Sequence, residues 1–446
     1  MDRSARKKGI YLSSLKATAG MSVMQITLPS EVRIPMTHGR ADAAVPVVSP
    51  GEKVAVGQLI ARAEGPLGVP VHSSVSGTVT GVQSLPSKLG KDDLHVIVET
   101  DGRQTPADIR PPVISSREDL IRAARDCGLV GLGGAGYPTF AKFENEGKAF
   151  EHLIINGVEC EPFVTSDHIN TIAYAKDVAA GAALLLRWLD IKDCFIAVQR
   201  GMEEAFPLLE ESCKDLDSVR PVQVSRIFPA GEETALADAL LGVRTAPGEL
   251  LKDKGVLVLN VSTLIKLQQY VVTGMPLVSR TVTVDGDALS RPMNVEVPVG
   301  TPVIDVLQFC GADMESLRKI IVGGPMTGIA LPDTNFYVSK TDDALICFSA
   351  YRAERDRETG CINCGRCIAA CPQGLMPNLL FKAWRKRDEK ALEKGYLSAC
   401  TGCGCCSFVC PARKQISYEL GLARAIFSEP GRAAMIEDAE GGRDER

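Results

Sequence analysis

The sequence predicts a multidomain chain of α/β and α+β class, on three observations. Short β-type runs broken by glycine and proline fill the stretch from Glu31 to Val98. Apolar runs of buried-strand type then alternate with helical periodicity. Near the C-terminus, nine of the 15 cysteines crowd between Cys361 and Cys410 in a charged, helical setting. At 446 residues the chain has room for about three domains. Apolar residues make up 45% and charged residues 24%, a globular composition that excludes wholesale disorder. The net charge of −5 lacks the basic field of a nucleic-acid binder. The longest apolar stretch, Val178–Leu186, stops at Arg187, short of the ~20 residues of a membrane span. No apolar segment follows the charged start Met1–Lys8, so a secretory signal is not expected and the compartment is read as reducing.

Residues 1–28 have no clear periodicity and are expected as an N-terminal arm. Residues 29–101 carry strand-sized runs such as Val32-Arg33-Ile34, Gly77-Thr78-Val79 and Leu94–Val98, separated by turns such as Ser49-Pro50-Gly51-Glu52. That spacing suggests a small β-barrel or sandwich. Val47–Gln58 followed by Ser73–Val79 is similar to the hammerhead of biotinyl and lipoyl carriers. The tip His72–Gly77 has no lysine, so covalent carriage is not expected and a docking or scaffold domain is. Residues 112–275 are expected as a parallel-sheet α/β domain: Ser115-Ser116-Arg117-Glu118 opens a helix, Leu153-Ile154-Ile155, Phe195–Val198 and Val256–Leu259 are buried strands, and Ile172–Leu189 is one helix. Residues 276–335 form a small α+β unit, with strands at Thr281–Val284, Asn294–Val297 and Ile320–Val322 and a helix at Val303–Phe309. Residues 336–360 read as a connector, 361–430 as a helical cysteine domain, and 431–446 as a disordered tail.

The cysteine spacing is Cys361-x₂-Cys364-x₂-Cys367-x₃-Cys371-Pro372, repeated as Cys400-x₂-Cys403-x₂-Cys406-x₃-Cys410-Pro411. This is the bacterial ferredoxin run for [4Fe–4S] clusters. A tight loop points three thiolates at one cubane, while the fourth, on a following helix, faces away and completes the other. One cluster therefore takes Cys361, Cys364, Cys367 and Cys410, and the second takes Cys400, Cys403, Cys406 and Cys371; Cys405 is left over. Two structural zinc sites are the alternative, but zinc requires neither the x₂, x₂, x₃ run nor the prolines. Lys382, Arg385, Lys386 and Arg387, on the segment between the two runs, are either a solvated face or a docking patch for an acidic redox partner.

The second strong feature is Gly131-Leu132-Gly133-Gly134-Ala135-Gly136-Tyr137-Pro138-Thr139-Phe140-Ala141-Lys142. Clustered glycines let the backbone approach a ligand, Pro138 pre-sets a helical turn, and amides there suit a phosphate, with Lys142 adding charge. It is not a Walker loop, and it follows a helix rather than the strand a Rossmann fingerprint needs. After the strand at 153–155 comes Asn156-Gly157-Val158-Glu159-Cys160-Glu161-Pro162, at a strand end where ligands of open α/β sheets bind. Then follow Gly231-Glu232-Glu233-Thr234-Ala235-Leu236 and Asn260-Val261-Ser262-Thr263-Leu264.

These four segments together resemble the FMN- and NADH-binding subunit of respiratory complex I, and residues 29 to 427 resemble the C subunits of Rnf electron-transport complexes. The stretches Ile362–Cys367, Pro372–Pro377 and Val322–Gly328 carry the same likeness. The resemblance implies a β barrel-sandwich hybrid, an FMN/NADH domain, a β-grasp domain of SLBB type and a two-cluster ferredoxin domain, in that order. It implies that Gly133, Gly134, Ala135 and Gly136 cradle the FMN phosphate with Lys142 nearby, that Asn156, Glu159, Glu161 and Asn260 hold the flavin and its ribityl chain, and that Glu232 and Glu233 contact NADH. Val158 stands where the complex I subunit has an aspartate, and Lys8–Leu12 departs from the usual arm. The implied role is a peripheral electron-input subunit on the cytoplasmic face of a bacterial membrane, beside membrane and soluble partner subunits and linked indirectly to ferredoxin. A stand-alone flavin/iron–sulfur reductase, serving cobalamin or an amino-acid reductase, and a non-enzymatic ferredoxin-like carrier stay open as alternatives.

Overall fold

A computed structural model describes residues 8–427, apart from residues 89, 146–147, 203, 247–248 and 355–356. The expected tail, 431–446, and the first seven residues of the arm lie outside the described residues. At the centre is a four-stranded parallel sheet in the order Val219–Val224, Asp193–Gln199, His152–Gly157, Val256–Asn260. Its strands are continuous apolar runs because both faces are covered. Leu153, Ile155, Ile196 and Leu259 point into one core with the helices Ala175–Leu189 and Val261–Thr273. Ile154, Ala197 and Val258 point the other way, onto Leu236 of the helix Glu233–Leu241. The single helix expected over Ile172–Leu189 is two helices, Ser166–Ala173 and Ala175–Leu189, bent by 87° at Tyr174. The break turns the first helix so that its N-terminus faces the strand ends. No single helix among the described residues is long and apolar enough to cross a membrane.

The barrel-sandwich region encloses Val32, Ile34, Ile60, Val79, Val96 and Val98 between a four-stranded and a three-stranded sheet. The β-grasp region is a six-stranded mixed sheet. Its strand Ala344–Ser349 lies between Leu317–Val322 and Ser279–Asp285, inside the stretch expected as a connector. The reason is plain in the residues: Ala344-Leu345-Ile346-Cys347-Phe348 is wholly buried. The arm is also structured where described. Met24–Gln25 extends the same sheet beside Met293–Pro298, and Ile10–Tyr11 pairs with Ile227–Phe228.

The barrel region is locked to the glycine loop. A Cβ on Gly39 would lie 2.4 Å from Gly136 Cα, so only glycines allow the two backbones to touch, and Arg40 N donates to the Gly136 carbonyl at 3.0 Å. Lys340, fully buried, donates to the carbonyls of Pro70 and Gly128 at 3.2 and 2.8 Å. The C-terminal region packs short helices around Leu380, Trp384, Leu392 and Leu420, with Cys367, Cys371 and Cys406 in the same core.

Candidate functional site

The glycine loop closes on itself: Gly131 N donates to the Tyr137 carbonyl at 2.8 Å and Gly136 N to the Gly131 carbonyl at 3.1 Å. Gly134 has φ +93°, open to glycine alone at little cost, and a Cβ there would meet nothing within 4 Å. Gly133, Gly134 and Ala135 are exposed, and their amides donate to no acceptor among the described residues. This is a cradle of free N–H groups. It is braced from behind, where Leu132 N donates to Thr263 Oγ1 at 2.9 Å and the buried Arg280 Nη2 donates to the Leu132 carbonyl at 3.0 Å. A Cβ on Gly133 would sit 3.2 Å from Asn260 Nδ2, which places the loop over the end of the Val256–Asn260 strand.

Asn156 and Asn260 are register partners at the ends of adjacent parallel strands. Asn260 caps the helix Val261–Thr273 through its Oδ1 and donates through Nδ2 to Asp167 Oδ2 at 2.6 Å. Asn156 Nδ2 donates to the Gly231 carbonyl at 2.8 Å, tying the strand end to the Gly231–Glu233 segment. Lys142 Nζ reaches Glu233 Oε1 at 2.8 Å and the Val258 carbonyl at 3.2 Å. The structure thus brings together the loop, Lys142, Asn156, Asn260 and Glu233 at the carboxyl ends of the parallel strands.

Glu159 and Glu161 are turned to protein donors. Glu159 accepts from Asp167 N at 2.9 Å, His168 N at 3.3 Å and Ser166 Oγ at 3.3 Å, capping the helix Ser166–Ala173, with Lys16 Nζ at 3.7 Å. Glu161 accepts from Met326 N at 3.0 Å and Thr327 Oγ1 at 2.6 Å, and burial pushes its carboxyl up from the ordinary range. A Cβ on Gly324 would lie 2.3 Å from Glu161 Oε2, so the Gly323-Gly324-Pro325 turn is shaped around that carboxylate. Glu232 caps the helix Glu233–Leu241 by accepting from Ala235 N at 2.9 Å. Gln373 Nε2, from the cysteine region, stands 3.5 Å from Glu232 Oε2 and donates to Thr234 Oγ1 at 3.0 Å.

The sequence reading missed Asp167, Arg280 and Asp343. Asp167 accepts from Asn260 and, at 2.5 Å, from Ser262 Oγ; burial, reinforced by Glu159, pushes its carboxyl up to about 6. Burial pushes the Asp343 carboxyl up to about 7, against the pull of Arg280. An acid in the first turn of a helix reads as an ordinary capping charge, and Asp343 lay in the supposed connector. Neither carried a signal of its own.

The cysteines fall into two cavities. Cys361, Cys364, Cys367 and Cys410 line one, and Cys371, Cys400, Cys403, Cys405 and Cys406 line the other. The spacing assigns the first four to one cluster and Cys371, Cys400, Cys403 and Cys406 to the other, with Cys405 left over. All eight are free thiols, and no group of three His, Cys, Asp or Glu among the described residues is gathered as for a single metal ion. Four thiols set around a cavity fit a cubane, whose irons they meet from separate corners, better than one zinc. Cys405, in neither set by spacing, is fully buried with Sγ 3.9 Å from the Phe228 carbonyl. Ile10, Phe228, Ala370 and Cys405 form one apolar cluster with Cys160, Met326 and Cys403 packed against it. The second cavity therefore abuts the Phe228–Glu233 segment of the α/β domain.

The comparisons with known proteins follow the same layout. Family models match for an RnfC barrel sandwich hybrid domain at residues 5–103, a Nuo51 FMN-binding domain at 124–269, an SLBB domain at 281–330 and a 4Fe-4S dicluster domain at 360–414. Among solved structures, an NAD+-reducing [NiFe]-hydrogenase in the air-oxidized state shares the fold with a TM-score of 0.50 at 18% identity, covering 70% of this chain and 62% of that one. A flavin domain joined to a dicluster domain defines an electron-transfer oxidoreductase subunit, with FMN and [4Fe–4S] clusters as its cofactors. The chain is 32% identical over 356 residues to the C subunit of the Na(+)-translocating ferredoxin:NAD(+) oxidoreductase complex of Acetobacterium woodii, covering 78% of this chain and 80% of that protein. It is 30% identical over 372 residues to the proton-translocating counterpart of Clostridium ljungdahlii, covering 82% and 81%. It belongs to the family of Rnf complex C subunits.

Proposed function

We propose that the chain is the peripheral electron-input subunit of an ion-translocating ferredoxin:NAD+ oxidoreductase, linking NADH to its partner subunits on the cytoplasmic face of a bacterial membrane. The relatives' names carry the ferredoxin and NAD+ assignment. The observation that supports this chain's part in it is the placing of the Cys371/Cys400/Cys403/Cys406 cavity against the segment that bears Glu232 and Glu233.

When bound, FMN accepts two electrons with a hydride, and [4Fe–4S] clusters carry electrons singly. The chain's residues bind, orient and shield. The free amides of Gly133, Gly134 and Ala135 receive the FMN phosphate, aided by the positive charge of Lys142, while Gly136 fixes the loop against the barrel region. Asn156 and Asn260, whose amides are tied to Val158 N, the Gly231 carbonyl, Asp167 and Thr263 N, fix the strand ends that form the floor of the flavin site. Glu159 and Glu161 position the surrounding turns, since their oxygens are already engaged by protein donors. Glu232 and Glu233 offer carboxylates to the ribose hydroxyls of NADH. Cys361, Cys364, Cys367 and Cys410 hold one cluster, and Cys371, Cys400, Cys403 and Cys406 the other.

The test is protein purified without oxygen. It should contain about eight irons, for two cubanes, and one FMN, and stopped-flow mixing with NADH should bleach the flavin. A colourless, zinc-loaded preparation that cannot be reconstituted, or a flavin that NADH leaves untouched, would overturn the proposal.

A further inference from the structure

The two cysteine cavities have different walls. No Lys, Arg, Asp or Glu lines the one shared by Cys371, Cys400, Cys403 and Cys406, and the Phe228 and Met326 backbones close over its Gly404–Cys405 edge. The cavity shared by Cys361, Cys364, Cys367 and Cys410 is lined by Arg366, Lys382, Arg385 and Lys414. Glu419 and Glu358 answer Arg385 and Lys414, at 2.6 and 2.5 Å. Arg366 and Lys382 face no carboxylate within ion-pair distance among the described residues. Lys382 Nζ instead donates to Asn363 Oδ1 at 2.9 Å, which pins the ammonium beside the Cys361–Cys364 loop. The loop itself is at the surface: Cys361, Asn363 and Cys364 are exposed, and Ile362 between them is 68% exposed. In a chain of net charge −5, the patch reverses the local sign. An apolar tip within a charged rim is the anatomy of a protein–protein contact.

We propose that this face docks an acidic redox protein, whose carboxylates meet Arg366 and Lys382 beside the Cys361–Cys364 loop. The inference rests on the function proposed for the chain, in which these cysteines hold a cluster reduced ultimately by NADH. Each encounter moves one electron from the chain to the partner's redox centre, which is reduced as the chain is oxidised, with no bond made or broken. A protein fits the face better than an anionic lipid surface does, because the cations surround a redox loop and a lipid accepts no electron. The opposite cavity, walled without charge and capped by the chain's own backbone, is left to face inward.

Flavodoxin, a small acidic electron carrier, is the probe, and basic cytochrome c is the control. With the holoprotein, carbodiimide coupling should join Lys382 to flavodoxin carboxylates, located by mass spectrometry of the joined peptides. Flavodoxin affinity should fall as salt rises, because screening shortens the reach of the rim charges. The double variant Arg366→Glu/Lys382→Glu should weaken flavodoxin binding by about tenfold or more and strengthen cytochrome c binding. Cross-links that map elsewhere, affinity that ignores both salt and the double variant, or variant-sensitive binding to phosphatidylglycerol vesicles without any flavodoxin cross-link would overturn the docking face. Iron content and NADH-driven flavin bleaching of the same samples separate the two failures. Intact values with no cross-link sink the docking face alone, whereas absent iron or bleaching in the unaltered protein sinks the reading beneath it.

Discussion

Two acidic pairs stand at the ligand end of the parallel sheet, and they are used in opposite ways. Glu159 and Glu161 follow the strand His152–Gly157 and turn inward; the Glu159 side chain is 5% exposed and accepts from the Asp167 and His168 amides. Glu232 and Glu233 open the helix Glu233–Leu241 and stay near the surface, with the Glu233 side chain 52% exposed. A carboxylate filled by backbone N–H groups builds the walls of a site. A carboxylate with an open side can exchange its partner for a substrate hydroxyl. The difference predicts that the first pair acts on stability and the second on NADH affinity.

The largest effect is expected for Glu159→Ala. It strands the Asp167 and His168 amides and leaves Lys16 without its counter-charge, at a cost of about 3 kcal/mol, read as a lower thermal midpoint and loss of retained flavin. A midpoint within a degree of the parent would break the comparison. Glu161→Ala removes the acceptor for Met326 N and Thr327 Oγ1 and should cost about 2 kcal/mol. Proteolysis at the Gly323–Gly328 turn should rise with it, and an unaltered cleavage pattern would count against the assignment.

For the outer pair the stability effects shrink. Glu232→Ala loses a helix cap, about 1 kcal/mol, and Glu233→Ala a half-exposed ion pair with Lys142, under about 1 kcal/mol. Both should raise the KM for NADH in flavin bleaching far more than they shift the midpoint. A KM that stays put while stability falls would reverse the roles of the two pairs. The smallest effect is a pH dependence. Burial raises the Asp167 carboxyl from 3.8 to about 6, so the folded chain holds that proton more tightly than the unfolded one. Keeping the carboxylate charged is a penalty felt in full above pH 6 and relieved as pH falls toward 4. Asp167→Asn should remove that component from the slope of thermal midpoint against pH; an identical slope would show that Asp167 does not titrate as stated.

The two cysteine runs stand out in the sequence because their spacing is local, each confined to one loop and the short helix after it. The parallel sheet was legible because its strands are apolar on both faces. The barrel strands announced themselves through their turns. The strand Ala344–Ser349 was hidden in the expected connector because a single short apolar run shows its partners, Leu317–Val322 and Ser279–Asp285, only in the folded sheet. The kink at Tyr174 left no mark, since neither proline nor glycine sits there and packing alone turns the chain. The inward role of Glu159 and Glu161 was hidden for a related reason. A carboxylate's partners are backbone amides supplied by the fold, and amides have no letter in the sequence.

The strand Ile10–Tyr11 lies against Phe228, with Ala370 and Cys405 in the same apolar cluster. Ile10 therefore meets its strand partner Phe228 first and its neighbours Ala370 and Cys405 only when most of the described chain has been made. At about 5–20 residues per second that is a wait of tens of seconds.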